Sequence, residues 1–499
     1  MRFGVALIAA ACWAPMQTTW AGGVVAACSQ AALESALTGG GTVTFACDGV
    51  LTLSNTLTIT VDTMLDGTGR TVTLSGNNAV RLFTVEPGVR FSLVNLTIAN
   101  GFLSDSNPPC GGGMFNDGGI FAATNCTFVS NQVLGVTVQA FGGALYNTNG
   151  NVTVVQCRFF HNMARGGWPQ NRYDVGKDAN GGALCSVSGT MMVIDSVFLG
   201  NRAQGGDGGL IGIPPNATAG RGGGGLGGAI FSSGNLLATN STFVTNGAVA
   251  GFAPSFWDAP GISYPCKGGA ICNEGGTAKL ACVTIVGNIA EEHINRDLIH
   301  GKGGGLYGGA SGLVTLINSI VSSNFLGRNF YGSILDGGHN LSSDSSIALT
   351  NTGSMTNTDP RLGPLGDHGG STPVLPLLEG SPAIDAGDDA LTNSVVTDQR
   401  GYARLSGPHV DIGAVEYQRV ILPLRIDSVS HSAEGGAQLA FNNSPDGPVF
   451  TVLAATNIAL PATDWMNLGL AEQTAPGRFR FTDTNAPDFP RRFYRVRSP

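Results

Sequence analysis

Short apolar triplets separated by turn-forming residues run through most of the chain. Val43-Thr-Phe45, Leu57-Thr-Ile59, Val72-Thr-Leu74 and Val152-Thr-Val154 are of this kind. Their alternation is that of short strands, not of helices. One stretch differs. From Ser29 to Leu37 the apolar residues Ala32, Leu33, Ala36 and Leu37 have helical spacing, and Gly39-Gly-Gly41 ends the run. The pattern predicts a single N-terminal helix placed to cap the open end of a stack of strands, where unpaired backbone would otherwise recruit other chains.

Two motifs recur in the middle of the chain. The first is Asn125-Cys-Thr-Phe-Val-Ser-Asn131, Gln156-Cys-Arg-Phe-Phe-His-Asn162, Asp195-Ser-Val-Phe-Leu-Gly-Asn201 and Asn240-Ser-Thr-Phe-Val-Thr-Asn246. It continues as Ala281-Cys-Val-Thr-Ile-Val-Gly-Asn288 and Asn318-Ser-Ile-Val-Ser-Ser-Asn324. The second precedes each copy: Gly112-Gly-Met, Gly142-Gly-Ala-Leu, Gly181-Gly-Ala-Leu, Gly227-Gly-Ala-Ile, Gly268-Gly-Ala-Ile and Gly304-Gly-Leu. From Gly-Gly to the next Cys or Ser the spacing is nearly constant. From the closing Asn to the next Gly-Gly it varies, from 11 positions (Asn131 to Gly142) to 26 (Asn201 to Gly227). The constant part must register against identical units above and below it. The variable part must lie outside the stack, where each doubling of loop length costs only about 0.6 kcal/mol.

A solenoid follows, with equivalent residues stacked about 4.8 Å apart. Phe128, Phe159, Phe198 and Phe243 are expected to form an interior file. Asn131, Asn162, Asn201, Asn246, Asn288 and Asn324 are expected to form an amide ladder at a bend, satisfying backbone groups the corner leaves unpaired. The Gly-Gly pairs suit close backbone approach or positive φ at another corner.

Composition changes the picture in three ways. Residues 1–21 read as a secretory signal: Arg2 supplies the positive start, Phe3 to Trp13 the apolar run, and Ala21 the small residue for cleavage. No later stretch is long and apolar enough to span a bilayer as a helix. Among 499 residues there are 75 glycines and only 12% charged residues, with a net charge of −8. That balance argues against nucleic acid as a partner, because phosphate binding needs clustered Lys and Arg. Export leaves nine cysteines in a disulfide-permissive compartment. Cys28 and Cys47, at the start of the fold, are the expected disulfide. Cys126 and Cys157 fall at one repeat position in adjacent coils and suit either stacked free thiols or a bond. Cys185 and Cys272 share a position two coils apart and should not bond.

From Gly337 the pattern changes. Gly337-Gly-His-Asn-Leu-Ser-Ser343 and Asp359-Pro-Arg-Leu-Gly-Pro-Leu365 lead to Gly380-Ser-Pro-Ala-Ile-Asp-Ala-Gly387, Asp398-Gln-Arg-Gly401 and Asp411-Ile-Gly-Ala-Val-Glu-Tyr417. Together these resemble the choice-of-anchor Q family of bacterial surface proteins, related to polymorphic outer-membrane proteins and sharing the pectin-lyase-like fold. The resemblance covers roughly residues 28 to 418. It implies a right-handed parallel β-helix and a secreted or surface-attached product, and it implies no activity. Three segments result: the signal (1–21), the solenoid (22–418) with its closing block (337–418), and a small C-terminal β domain (419–499).

Asp385, Asp398, Arg400, Asp411 and Glu416 stand among Gly and Pro, as expected of a loop network that closes the C-terminal end of the stack. A Ca²⁺ site from Asp385, Asp388 and Asp398 is the one cofactor the residues suggest, since this ion takes oxygen ligands. The last segment reads as a sandwich, with runs such as Gln438-Leu-Ala-Phe441 and Val449 to Leu453 split by Pro-Asp-Gly and Ala-Pro-Gly turns. Its six arginines between Arg478 and Arg497 make either a solvated face or a docking signal for an acidic envelope.

The variable segments leave the stack at one corner, so their chemistry gathers along one edge. They carry Trp168, Arg172, Tyr173 and Asp174, then Phe256, Trp257 and Tyr264, then Glu291, His293 and Arg296. Aromatic faces among carboxylates and arginines suit a glycan: rings cover C–H surfaces and planar ions meet hydroxyls or uronates. The favoured reading is a non-catalytic protein that binds glycan or another envelope component. The alternative is a lyase or hydrolase of acidic polysaccharide, built from Arg172, Asp174, Lys177, Asp178 and Glu291. No catalytic motif of pectate lyases or polygalacturonases is recognisable. Carboxylates converging with Arg or Lys in a cleft would favour the enzyme; a strip of aromatic residues would favour binding.

Overall fold

The computed structural model describes residues 22–105, 109–168, 175–209, 220–252, 263–294, 297–418, 425–431, 435–442, 450–475 and 477–497. The expected signal (1–21) lies outside them. The chain divides into two compact units, Met1–Tyr417 and Gln418–Pro499.

The first unit is a parallel β-helix, as the repeats predict. One coil shows the plan. Leu145–Thr148 and Asn151–Val155 lie in a broad sheet, Arg158–Phe160 in a second sheet, Met163–Arg165 in a third, and Ala179–Asn180 in a narrow ribbon that leads back to the Gly-Gly corner. Each strand pairs in parallel with its equivalents in the coils before and after. Among the described residues these sheets hold 18, ten, seven and three strands. Within a strand, alternate residues enter the core: Val152 and Val154 are buried while Asn151 is exposed.

The interior is ordered residue by residue. Phe128, Phe159, Phe198 and Phe243 pair in direct register and stack with centroids 4.8, 4.6 and 4.8 Å apart, all fully buried. Ile98 precedes this file, and Ile285 and Val321 continue it. At the corner between the second and third sheets stands the amide ladder. Asn162 Nδ2 donates to Asn201 Oδ1 at 2.9 Å and to the Phe128 carbonyl at 2.9 Å, and its backbone N–H donates to the same Asn201 oxygen at 3.0 Å. Asn131, Asn201, Asn246 and Asn288 repeat this pattern. Asn324 passes the ladder to Asn329, only five positions on, and the amide there ends on Ser342 and Ser343.

Two details of register differ from the sequence alignment. Positive φ falls on Gly111, Gly142, Gly181, Gly227, Gly268 and Gly303, so the first and last corner pairs are Gly111-Gly112 and Gly303-Gly304. In those coils Gly113 and Gly305 take the place of Ala144. The second glycine of each pair is required by close approach: a Cβ on Gly182 would lie 2.1 Å from the Gly228 carbonyl oxygen. Likewise, Cys282, not Ala281, takes the left-handed place held by Asn125, Gln156, Asp195, Asn240 and Asn318.

At the N-terminal end, helix Gln30–Leu37 buries Leu33 in the solenoid core, and Ser29 Oγ accepts the Ala32 N–H at its start. Cys28 and Cys47 are disulfide-bonded, with Cα atoms 5.6 Å apart. Cys126, Cys157, Cys185 and Cys272 are free and buried.

The closing block does more than close the C-terminal end, which corrects the expectation above. Leu341–Ser342 adds a strand to the second sheet, and the chain then turns back along the outside of that sheet. Asn318 Nδ2 donates to the Asp411 carbonyl (2.8 Å), the Ala414 N–H to Thr284 Oγ1 (3.0 Å), Thr242 Oγ1 to Gln399 Oε1 (2.6 Å) and Asn240 Nδ2 to the Thr397 carbonyl (2.7 Å). Thr372 reaches the Asp195 carbonyl, and Arg158 donates to the carbonyl of Ser371. The reason is apolar. Ile320 and Leu341 face outward and are buried with Leu377, Ala383 and Ile412 of the block.

The second unit is an antiparallel sandwich. Arg425–His431, Ala437–Asn442, Arg478–Asp483 and Glu472–Ala475 form one sheet in that order; Met466–Leu470, Thr451–Ala455 and Phe493–Arg497 form the other. Leu439, Phe441, Phe450, Val452 and Phe479 fill its core. Of its arginines, Arg492 is in a buried ion pair with Asp483 (3.0 Å), and the Arg495 guanidinium lies 5.3 Å from the ring centroid of Trp465.

Candidate functional site

The variable segments all leave the third sheet and return to the ribbon, so they share one edge. Glycine makes this edge thin. A Cβ on Gly205 would lie 2.0 Å from the Gly223 oxygen, and one on Gly251 would lie 1.9 Å from the Gly206 oxygen. The Gly223 N–H donates to the Gly206 carbonyl, and the Gly251 N–H to that of Gly223, both at 2.8 Å. Inside the base, Val133, Ala140, Ala164, Ala179 and Ala203 form a small buried cluster. The limbs that pass Gly206 and Gly223 are therefore in backbone contact, and Gly251 of the next segment lies against both.

Of the residues expected to bind, Arg172, Tyr173, Asp174, Phe256, Trp257 and Arg296 lie outside the described residues, as does the side chain of His293. Trp168 stands on an outgoing limb, 42% exposed, with the Arg165 guanidinium 5.3 Å from its ring centroid. Arg165 also pairs with Asp207 at 3.8 Å. Tyr264 stands on a returning limb, 38% exposed, with Arg221 at 5.7 Å. Among the described residues nothing joins Trp168 directly to Tyr264.

The corner beside these limbs carries a file that the sequence reading missed. Phe115, Tyr146, Cys185, Phe231, Cys272, Tyr307 and Tyr331 pair in register along the outside of the broad sheet. Facing it across the glycine corner, Phe141 meets Tyr146 edge-on at 5.8 Å. Tyr307 and Tyr331 stack 5.9 Å apart; Lys267 lies 5.0 Å over the first and Lys302 5.1 Å over the second. Lys267 is paired with Glu274 at 2.5 Å, and Tyr331 is 47% exposed. Burial pushes the Tyr146 hydroxyl and the Cys185 and Cys272 thiols well above their ordinary ranges, so all three are neutral. The signal was present in the chain: from Phe115 to Tyr307, each of these residues follows the Met, Leu or Ile of a Gly-Gly motif.

At the base of the limbs, Asp178 accepts the Gly224 N–H at 2.7 Å, and burial raises its pKa against the opposing pull of Lys267 and Lys177. Glu292 accepts the Cys266 N–H at 3.0 Å and is raised by burial in the same way. The thiol of Cys266 is buried, and burial together with Glu292, Asp178 and Glu291 keeps it protonated. Asp178 and Glu291, both assigned to the alternative enzyme, thus act on one buried thiol.

The block's acidic residues are engaged one by one. Asp398 is fully buried against Arg400 at 2.6 Å and accepts the N–H groups of Arg400, Tyr402 and Glu416. Asp388 caps a short helical turn through the Ala390 N–H. Asp385 accepts the His409 N–H at 3.4 Å. Among the described residues no group of three or more His, Cys, Asp or Glu side chains is placed to hold a metal ion, and no helix is long and apolar enough to cross a membrane. No protein-family model, no curated protein and no solved structure matches the chain.

Proposed function

We propose that this is an exported or surface-attached binding protein, without catalysis, that holds an acidic glycan along the edge from which the long segments project. One observation carries the reading. Trp168, Tyr264 and Tyr331 each expose more than a third of their surface, and each has a cation against its ring: Arg165, Arg221 and Lys302. A cation on one face leaves the rest of the ring for the C–H surface of a sugar and sets a positive charge where a uronate carboxylate would lie. Trp168 and Tyr264 stand on projecting limbs and Tyr331 in the file at the corner beside them, a spread that suits a linear polymer better than a compact ligand. Calcium bridging uronates to this edge belongs to the same proposal, and the assay includes it.

The catalytic alternative draws on Asp178 and Glu292, two carboxylates raised by burial near Lys177, Lys267 and Lys302. One experiment separates the two. The whole protein is incubated with polyuronates and neutral polysaccharides, with and without Ca²⁺, while binding, ultraviolet absorbance of unsaturated uronates and reducing ends are all followed. Retention of polyuronate without product, weakened stepwise by Trp168→Ala, Tyr264→Ala and Tyr331→Ala, supports binding. Product formation abolished by Asp178→Asn overturns it in favour of the enzyme.

A further inference from the structure

The fold-back block reads the solenoid with a two-residue device. At Asn240-Ser-Thr242 the asparagine, held at φ 46°, uses one amide N–H on Asp195 Oδ1 in the preceding coil (3.2 Å) and sends another to the Thr397 carbonyl of the block (2.7 Å). Thr242 Oγ1, two residues on, bonds Gln399 of the block, and Thr284 Oγ1 in the next coil accepts the Ala414 N–H. Asn318 donates to the Asp411 carbonyl and, through Oδ1, accepts the Asp388 N–H (3.0 Å). Corner amides thus hold the block through its backbone at Asn240 and Asn318, while the strand-start hydroxyls meet the Gln399 side chain at Thr242 and the Ala414 backbone at Thr284.

The same device stands in coils the block never reaches. Thr97, Thr127, Arg158, Val197, Thr242 and Thr284 occupy one register position in successive coils. Asn95 and Asn125 hold the left-handed corner at φ 54° and 49°. Asn125 Nδ2 donates to Asn95 Oδ1 at 2.7 Å, and Asn95 Nδ2 to Thr68 Oγ1 at 2.6 Å, which is the ladder half of the arrangement seen at Asn240. The outward half has no acceptor among the described residues. Gly67, Arg70, Asn95, Thr97, Asn125 and Thr127 line an open groove here. It is continuous with the strip under the block, whose last contact on this side is Arg158 with Ser371.

We infer that the groove over Asn95-Leu-Thr97 and Asn125-Cys-Thr127 is a docking site for an extended segment of another polypeptide, gripped through its backbone as the block is. The segment must carry small residues where its own backbone bonds a threonine, although over Thr242 it is the Gln399 side chain that makes the bond. The block carries small residues at Gly413-Ala414: a Cβ on Gly413 would lie 3.0 Å from Thr284 Oγ1 and 2.8 Å from Ile320 Cδ1. The site is separate from the glycan edge and stands or falls without it.

The test uses the intact protein and a fluorescent peptide copying residues 395–417, the chain's own gripping segment. Anisotropy should show saturable binding that Thr127→Val weakens several-fold and Asn125→Gly weakens further. Glycine keeps the left-handed corner while removing the amide, so the coil still forms; circular dichroism and an unchanged melting curve verify this. A Gly413→Val peptide should bind worse than the parent. Absence of binding, or binding indifferent to both substitutions, overturns the inference. So does a groove that takes a polyuronate oligomer in preference to every peptide, with the same two substitutions weakening that binding.

Discussion

Replacing Asn201 by leucine removes one rung from the middle of the amide ladder while nearly preserving volume. Asn201 is fully buried. The loss leaves the Phe159 carbonyl without its 2.8 Å donor, and the backbone N–H and one amide N–H of Asn162 without the oxygen they share at 3.0 and 2.9 Å. Asn246 Oδ1 still accepts the backbone N–H of residue 201. Three buried groups are thus stranded, each costing about 1–3 kcal/mol, and partial relaxation puts the sum near ~4 kcal/mol. Exposed Asn151, replaced by alanine, should change stability by no more than about 0.5 kcal/mol. Because a solenoid is stabilised mainly between neighbours, the damage should also be local. Hydrogen exchange read by mass spectrometry should quicken in peptides around residues 159–163 and 244–248 far more than at 43–59. Urea unfolding of the solenoid supplies the magnitude. A loss below about 1 kcal/mol, or exchange that quickens uniformly, would refute the claim that the corner depends on this network.

Phe198→Ala opens a hole between rings 4.6 and 4.8 Å away and should cost about 3–5 kcal/mol in the same urea titration. Thr245 is a β-branched residue at φ 52°, where Gly200 and Gly287 stand in the neighbouring coils; Thr245→Gly should raise stability by about 1 kcal/mol, and a loss would deny the strain. Burial pushes Asp195 up to about 7, Asp411 to about 6 and Glu416 to about 8. The folded block and Asp195 of the coil it contacts therefore retain protons that the unfolded chain releases near its ordinary values of 3.8 and 4.5. The block's stability is fully present below pH of about 4 and falls as pH rises through about 8. Limited proteolysis should cut residues 371–417 faster at the alkaline end, and Glu416→Gln should flatten that dependence.

What the sequence made legible is whatever a single residue type does at a fixed place in every coil. The phenylalanine file and the asparagine ladder are of this kind, because stacked parallel coils give identical side chains identical neighbours. Register failed where identity was degenerate. In Gly111-Gly-Gly113 and Gly303-Gly-Gly305 any glycine could bear the positive φ, and only the contact geometry selects the first. The corner file was hidden for the opposite reason. Phe115, Tyr146, Cys185 and Tyr307 share a position but not a type, so a search for repeated letters passes over them. The return of residues 371–415 along the second sheet has no period at all. It depends on contacts as remote as Gln399 with Ser196, which no local pattern announces.

The free state of Cys126 and Cys157 follows from the corner that precedes the second sheet. Cys126, Cys157, Ser196, Ser241, Val283 and Ser319 each come directly after the left-handed residue. Ser196, Ser241 and Ser319 turn back to donate to the carbonyls two residues earlier, at 2.7, 2.8 and 2.7 Å. Cys126 and Cys157 do the same with their thiols, both at 3.3 Å, to Thr124 and Val155. A thiol here performs the task of a hydroxyl, and each is fully buried. The two thiols are neighbours along the stack, close enough to interact, and remain free. The free thiols of Cys126 and Cys157 are therefore the geometric consequence of stacking one conformation on its copy. Among the described residues, only Cys28 and Cys47, where the helix meets the first coil and the repeat has not yet begun, are brought face to face.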